Sequence, residues 1–187
     1  MRYLDLDCEE AGWKFTYGPS LTTDAYRANM FSVDRRSSGS QITVLGGTDD
    51  TLSAWFFVFP VAQLNAIVIH VDVDGYFDCA DLWPEAFQNA SELRAIKVEF
   101  RYVGNLIRAL HPRDGVIPAP NLIDITFDQT EFNRYDCSCE NHFGMVKCLF
   151  HALAKRAGAG NTLSRLDLVE CDNITEDDVV ELSKVVG

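Results

Sequence analysis

Cysteine and histidine, the residue types that bind zinc, gather in one stretch of this sequence. The stretch contains Cys137-x-Cys139-x-x-His142, followed by Cys148-x-x-His151. A structural zinc ion takes four such ligands in a tetrahedral arrangement, but Cys-x-Cys is tighter than the spacing of the usual zinc motifs. Cys148 also falls at a core position of a predicted helix. We therefore predict no metal site, and a small zinc-binding module at residues 137–151 remains the less favoured alternative.

Other patterns that could carry chemistry are incomplete. Asp72-x-Asp74-Gly75 resembles the start of a calcium loop, but Trp83 stands at the twelfth position, where a bidentate Glu is required. No glycine-rich phosphate loop follows a predicted strand, and no Ser, His and Asp lie in a nucleophile-elbow context. The four histidines show no pairing at catalytic spacing. The sequence therefore predicts no enzyme, no catalytic residue and no cofactor.

The elements that would position such residues are clearest near the end of the chain, where the period of the apolar residues changes. Leu163–Leu168 fits a strand, because alternate residues of an extended segment share a face. From Val179 to Val186 the apolar residues recur at three and four, as on one face of a helix. Thr175 with Asp178 fits a helix N-cap, and Asp172-Asn173 fits the turn before it. Such a strand-turn-helix unit is typical of a leucine-rich repeat.

The same template recurs along the chain, at irregular steps. The other matches are Met1-x-x-Leu4-x-Leu6, Gly39-x-x-Ile42-x-Val44, Leu64-x-x-Ile67-x-Ile69, Leu93-x-x-Ile96-x-Val98 and Leu122-x-x-Ile125-x-Phe127. Helical spacing predicts helices over residues 80–89, 104–110 and 144–157, and another beginning at Thr48. Residues 9–40 and 128–143 are irregular insertions, and the first of them is predicted to hold loops and a short helix near residues 22–30.

Strands that alternate with helices and return in the same direction imply parallel strands with right-handed crossovers. The predicted fold class is therefore α/β, a leucine-rich-repeat solenoid of about six irregular repeats that forms a single domain over residues 1–187. Its parallel sheet would line the concave face of an arc, and its helices the convex face.

If the apolar template positions face the helices, the alternate positions line the concave face. Acidic residues outnumber basic ones there, which favours a shallow acidic groove for a basic peptide or protein. A merely solvated sheet face is the alternative, because a fold does not fix a function. The predicted protein-binding residues are Tyr3, Asp5, Asp7, His70, Lys97, Glu99, Asp124, Thr126, Asp128, Arg165 and Asp167.

Composition narrows the class of partner and the compartment. The formal net charge of −12 argues against nucleic acid and anionic membranes and is compatible with a basic protein partner. The longest apolar run, Ala54–Ala62, is far shorter than the roughly 20 residues that span a bilayer. The N-terminus alternates apolar and charged residues, as a strand does and a signal peptide does not. We therefore expect a cytoplasmic or nuclear protein whose six cysteines are reduced thiols.

Three stretches, Ala119–Asp128, Leu153–Ala157 and Leu163–Val185, resemble the cysteine-containing leucine-rich repeats of F-box proteins, particularly the large fungal sets. In that family an N-terminal F-box docks on the Skp adaptor of a cullin-based ubiquitin ligase, and the repeats hold the substrate. A strand that begins at residue 2 predicts that no F-box is present here. The resemblance therefore implies a protein-interaction module, the substrate-recognition repeats of an F-box-type (SCF) adaptor or a truncated relative. A free-standing scaffold without a ligase role is the alternative.

Overall fold

The computed structural model describes residues 2–9, 12–19, 40–45, 64–71, 82–99, 103–132 and 144–187, which form a seven-stranded sheet and four helices. The strands are β1 (Arg2–Glu9), β2 (Gly12–Pro19), β3 (Ser40–Leu45), β4 (Ala66–Val71), β5 (Ala95–Glu99), β6 (Asp124–Asp128) and β7 (Arg165–Val169). The helices are α1 (Leu82–Asn89), α2 (Gly104–Ala109), α3 (Met145–Gly158) and α4 (Glu176–Ser183). The helix predicted to begin at Thr48 lies outside the described residues.

The order of strands across the sheet is β3-β2-β1-β4-β5-β6-β7. β1, β4, β5, β6 and β7 are parallel neighbours, whereas β2 runs antiparallel between β1 and β3. The predicted α/β class is confirmed, and the predicted parallel pairing is present from β1 through β4, β5 and β6 to β7. The prediction that all six template strands pair in parallel through crossovers is wrong for β3, which lies at the outer edge of the β1-β2-β3 meander and pairs antiparallel with β2.

The strand β2 was missed inside the predicted insertion at residues 9–40. Its sequence alternates the aromatic residues Trp13, Phe15 and Tyr17 with small or polar ones, which is the period of a half-buried strand. A strand that pairs antiparallel with its neighbour needs no crossover helix, so β1 and β2 follow each other closely along the chain. The short helix predicted near residues 22–30 lies outside the described residues.

The parallel strands align the template residues in register. Leu4 pairs with Ile67, Ile67 with Ile96, Ile96 with Ile125, and Ile125 with Leu166. Each of these residues occupies the fourth position of its match to the template, and a slip of one residue would turn its strand's apolar side chains to the other face. The recurrence predicted for these five segments is therefore present as an in-register ladder.

The core lies between one face of the sheet and the described helices. Its buried residues include Ile67, Ile96, Val98, Ile125 and Phe127 from the strands, and Trp83, Phe87, Leu106, Ile107, Cys148, Leu149 and Leu153 from the helices. The burial decreases toward the last unit. Leu166 and Leu168 of β7 are partly buried, and Leu182 is the one buried residue of α4.

The same turn follows β6 and β7. Gln129 and Glu170 stand directly after these strands and have positive φ values of 51° and 49°. The next residues, Thr130 and Cys171, each donate a side-chain hydrogen bond to the carbonyl two residues earlier, at 3.3 Å and 3.5 Å. Burial raises the pKa of the Cys171 thiol, which favours its protonated, donating form. Cys171 in the last unit and Thr130 in the unit before it therefore occupy the same template position and make the same side-chain hydrogen bond.

The start of α4 agrees with its local sequence. The Asp178 N–H donates to Thr175 Oγ1 at 3.2 Å, and the Thr175 N–H donates to Asp178 Oδ2 at 3.0 Å. These reciprocal bonds form a capping box, which satisfies donors that a helix start leaves open. Asn173 has a φ of 59° in the turn that precedes the cap. The predicted turn and N-cap are both confirmed.

A buried arginine joins the end of α3 to the loop before β6. Arg156 is fully buried and donates to Pro118 O through Nη1 and to Ala119 O through Nη2, the latter at 3.0 Å. Burial lowers the pKa of Arg156 to about 10, and no described carboxylate pairs with it. Its Nε lies buried, and no described residue accepts a hydrogen bond from it. The two carbonyl bonds are therefore the compensation for the desolvated guanidinium.

Asparagine side chains add further bonds to the loop before β6, which comprises residues 118–121 and which we call the 118–121 loop. Just after α3, Gly160 lies in the left-handed region, and the Asn161 N–H donates to Arg156 O. This is a Schellman arrangement, which closes the end of the helix. Asn161 Nδ2 then donates to Pro120 O at 2.7 Å, so three consecutive carbonyls of the loop are bound from α3 and the residues after it. In the other direction, Asn121 Nδ2 donates to the carbonyl of residue 91 at 2.7 Å. The loop thereby links three successive units.

Arg156→Lys is expected to destabilise the fold by about 2–4 kcal/mol, because an ammonium cannot reproduce a planar fork to two carbonyls. Urea unfolding followed by circular dichroism measures the change. The control is Lys155→Met, at the exposed neighbouring position, which should alter the free energy of unfolding by less than about 0.5 kcal/mol. Equal stability of the two variants would contradict the role given to Arg156.

Candidate functional site

The residues predicted to bind a partner lie on the face of the sheet opposite the core, which we call the polar face. They form three lines across the parallel strands, because the register pairs equivalent template positions. The lines are Tyr3-Ala66-Ala95-Asp124-Arg165, Asp5-Val68-Lys97-Thr126-Asp167 and Asp7-His70-Glu99-Asp128-Val169. For Tyr3, Asp5, Asp7 and His70 the structure describes the strand position alone.

Part of the polar face is buried. Lys97 and Asp128 are 2% and 3% exposed, and Lys97 Nζ lies 2.7 Å from Asp128 Oδ2. Glu99 adds a second carboxylate, with Oε2 at 3.6 Å from the same ammonium. Ala66 and Ala95 on the neighbouring line are buried as well. Lys97 and Asp128, predicted as binding residues, therefore form a desolvated ion pair beneath the molecular surface.

The polar face opens toward β6 and β7. Arg165 and Asp167 form a two-pronged ion pair, with Nε to Oδ1 at 2.8 Å and Nη2 to Oδ2 at 2.6 Å. Thr126 Oγ1 donates to Asp167 Oδ2 at 3.4 Å. Arg165 is exposed, whereas Asp124, Thr126 and Asp167 are partly exposed. The Arg165 fork is held by Asp167, and Asp124 stands beside Arg165 in register.

This arrangement suits recognition of a polar surface. Arg165 and Asp167 sit two residues apart on one strand, so both side chains stand on the same face of the sheet. Their mutual ion pair fixes two rotamer-rich side chains before a partner arrives, which reduces the entropy that binding would otherwise cost. The open part of the polar face therefore presents an accessible, pre-paired set of charged and polar groups.

The possible zinc ligands are divided by the structure. Cys137, Cys139 and His142 lie outside the described residues. Cys148 is fully buried and disulfide-bonded, so the expectation that the cysteines are reduced thiols is wrong for this residue. Within the described part of the chain, no three His, Cys, Asp or Glu side chains form a group that could hold a metal ion.

Sequence reasoning missed one histidine contact. His111 Nε2 lies 3.1 Å from Cys148 Sγ, although the two residues are 37 apart in the chain. A disulfide sulfur has no proton to donate, so the imidazole N–H is the donor. No spacing signal could have found this pair, because α2 and α3 bring it together only in the folded chain.

A shallow cavity of about 310 Å³ lies where the parallel strands begin. It is lined by Arg94, Pro120–Ile123, Gly160, Asn161 and Thr162. Asn121 and Asn161 already donate to backbone carbonyls of neighbouring units. The cavity therefore follows from the stacking of successive units and is lined by groups that hold them together.

The chain matches no family model, no curated protein and no solved structure with which it was compared. Among the helices that the structure describes, none is both long enough and apolar enough to cross a bilayer.

The buried ion pair yields a prediction that distinguishes it from surface pairs. Lys97→Met should cost about 3–5 kcal/mol, because it leaves the Asp128 carboxylate buried without that counter-charge. The double variant Lys97→Met/Asp128→Leu should be less destabilised than Lys97→Met alone, since it removes both charges. Urea unfolding provides the free energies of all the variants.

Lys184→Met is the matched control, because Lys184 pairs with Glu181 on the exposed surface of α4. Its expected cost is below about 1 kcal/mol. If Lys97→Met costs no more than Lys184→Met, the Lys97–Asp128 pair is not buried in solution.

Proposed function

We propose that this chain is a protein-interaction module that binds a partner protein through the open part of its polar face. The observation that carries the proposal is the pre-formed Arg165–Asp167 pair, with Thr126 and Asp124 beside it, on the exposed end of a parallel sheet. The apolar side chains of these strands point the other way, into the core. This leaves a polar surface on a rigid element, which is where precise binding residues are best supported.

We further propose that the partner is a substrate protein of an F-box-type ubiquitin ligase, recognised in the cytoplasm or nucleus. The support is the resemblance of residues 119–128, 153–157 and 163–185 to the repeats of that family. Two of these stretches contact each other through Arg156 and Ala119, so the resemblance covers one packed unit of the structure. The net charge of −12 favours a basic region of the substrate.

The disulfide at Cys148 favours a second candidate, a free-standing interaction protein with no ligase role. Disulfides persist in oxidising compartments, whereas cullin-based ligases act where glutathione keeps thiols reduced. The binding surface would be the same in both cases. The two candidates therefore differ in the other proteins that accompany the partner.

Affinity purification from a fungal lysate tests both levels of the proposal. The chain is expected to capture a defined set of proteins, and the double reversal Asp124→Lys/Asp167→Lys should remove it, because it inverts the charge of the surface. Skp adaptor and cullin in the captured set would support the ligase role. Their absence, with the partner retained, would favour the free-standing module.

The matched control is Glu92→Lys/Asp114→Lys, a double reversal at exposed turn residues outside the polar face that produces the same net charge. This variant should capture the same proteins as the unaltered chain. Loss of the partner in both double variants would attribute capture to net charge, and loss in neither would rule out the polar face as the binding surface.

A further inference from the structure

In the part of the chain that the structure describes, the last strand of the sheet has an open edge. β7 is a terminal strand in the sheet order, and β6 is its one described strand partner. The Arg165 N–H donates to Ile123 O at 3.1 Å, and the Gln129 N–H donates to Val169 O at 2.9 Å. These bonds fix which residues of β7 direct their backbone groups toward β6. By the alternation of a strand, Leu166 and Leu168 direct theirs away from β6.

The last two residues of the chain already pair with the beginning of this edge. Val186 forms a parallel bridge with Leu163, and the Gly187 N–H donates to Leu163 O at 2.8 Å. This short contact places residues 186 and 187 beside the beginning of β7. Farther along the edge, no described residue pairs with the backbone groups of Leu166 and Leu168. These two residues define what we call the β7 edge.

The core beneath the β7 edge is also incomplete. Leu166 and Leu168 are only partly buried, whereas Ile125 and Phe127, their register partners on β6, are fully covered. Val179 and Val180 on α4 are 46% and 57% exposed. An added strand with apolar residues on the core side would extend the covered face by one position.

Electrostatics restricts the chemistry of such a strand. Glu170, Asp172, Glu176 and Asp177, which follow β7, are exposed, and no described cation pairs with them. The nearby basic residues are already paired, Arg165 with Asp167 and Lys184 with Glu181. A second copy of this chain would bring the same acidic residues to the contact, so like charges would oppose each other. A basic segment would meet complementary charge.

We propose that the β7 edge binds an extended segment of a partner protein by parallel strand addition. The segment alternates apolar residues, which join the core face beside Leu166 and Leu168, with Lys or Arg residues on the polar face. The parallel direction follows from β6 and from residues 186 and 187, which run parallel on either side of β7. Backbone hydrogen bonds would supply affinity, and the alternation of side chains would supply specificity.

The probe is a synthetic peptide of alternating Lys and Val, capped at both ends, and binding to the full chain is measured by titration calorimetry. In β7 the core-side residues direct their backbone groups away from β6, so in a parallel added strand the Val amides point away from β7 and the Lys amides toward it. N-methylation of the Lys amides should weaken binding by about tenfold or more. N-methylation of the Val amides should change it by less than about twofold.

The proposal would be overturned if methylation of the Val amides weakened binding more than methylation of the Lys amides, or if both had the same effect. It would also be overturned if the parent peptide did not bind. So would a dimer of the chain that excludes the peptide in sedimentation experiments, since a second copy would then occupy the edge. Raised salt should weaken the interaction, because the acidic residues that attract the peptide are exposed.

Leu168→Pro tests the same edge from the protein side. It removes a backbone donor that faces away from β6, and proline is tolerated on edge strands. The variant should lose the peptide while circular dichroism shows an intact fold, and Leu168→Val should retain it. If Leu168→Pro does not fold, the methylated peptides decide the question alone. These experiments leave Asp124 and Asp167 unaltered, so their failure would not affect the proposed function of the polar face.

Discussion

The fold depends on the burial of one guanidinium group. Arg156 enters the interior at the end of α3 with no described carboxylate to neutralise it, and its bonds go to Pro118 O and Ala119 O. A charge in such a setting is tolerated only while its hydrogen bonds are made. Ala119, which accepts one of them, has a φ of 43° and itself donates to Phe87 O at 2.8 Å. One interaction therefore holds a strained loop and, through it, three successive units.

The charges of the polar face fall into two classes that follow from burial. Lys97 and Asp128 are buried, so their ion pair stabilises the sheet, and neither side chain is accessible to a partner. Arg165 and Asp167 are solvent-exposed or partly so, and their ion pair therefore contributes less to stability but remains accessible. The core face follows the same gradient, since coverage decreases from β6 to β7. Both candidate binding surfaces are therefore found at the last strand, where the stack of units is least covered.

The sequence predicted what depends on local pattern. The in-register template residues Leu4, Ile67, Ile96, Ile125 and Leu166 follow from apolar spacing, and the cap of α4 follows from two residues three apart. The position of β3 was not predictable in this way, because the template does not specify which strand is its neighbour.

The contacts that join the units, and those that bury part of the polar face, had no signal in the sequence. Arg156 binds backbone carbonyls 37 and 38 residues away, and every residue carries such a carbonyl. The burial of Lys97 depends likewise on what covers a strand, which alternation along that strand cannot reveal. Residue types indicated that the polar face was charged, and only packing separated its buried pair from its exposed one.

Hydrogen exchange of three amides tests most directly whether Arg156 holds successive units together. The Ala119, Ile123 and Ser164 N–H groups donate to Phe87 O, Arg94 O and Ile123 O, at 2.8, 2.9 and 2.8 Å, and each bond joins neighbouring units. If Arg156 links them, the three amides exchange through one cooperative opening, and Arg156→Lys accelerates all three by a common factor. Acceleration of Ala119 alone, with Ile123 and Ser164 unchanged, would contradict this account and reduce Arg156 to a local contact of one loop.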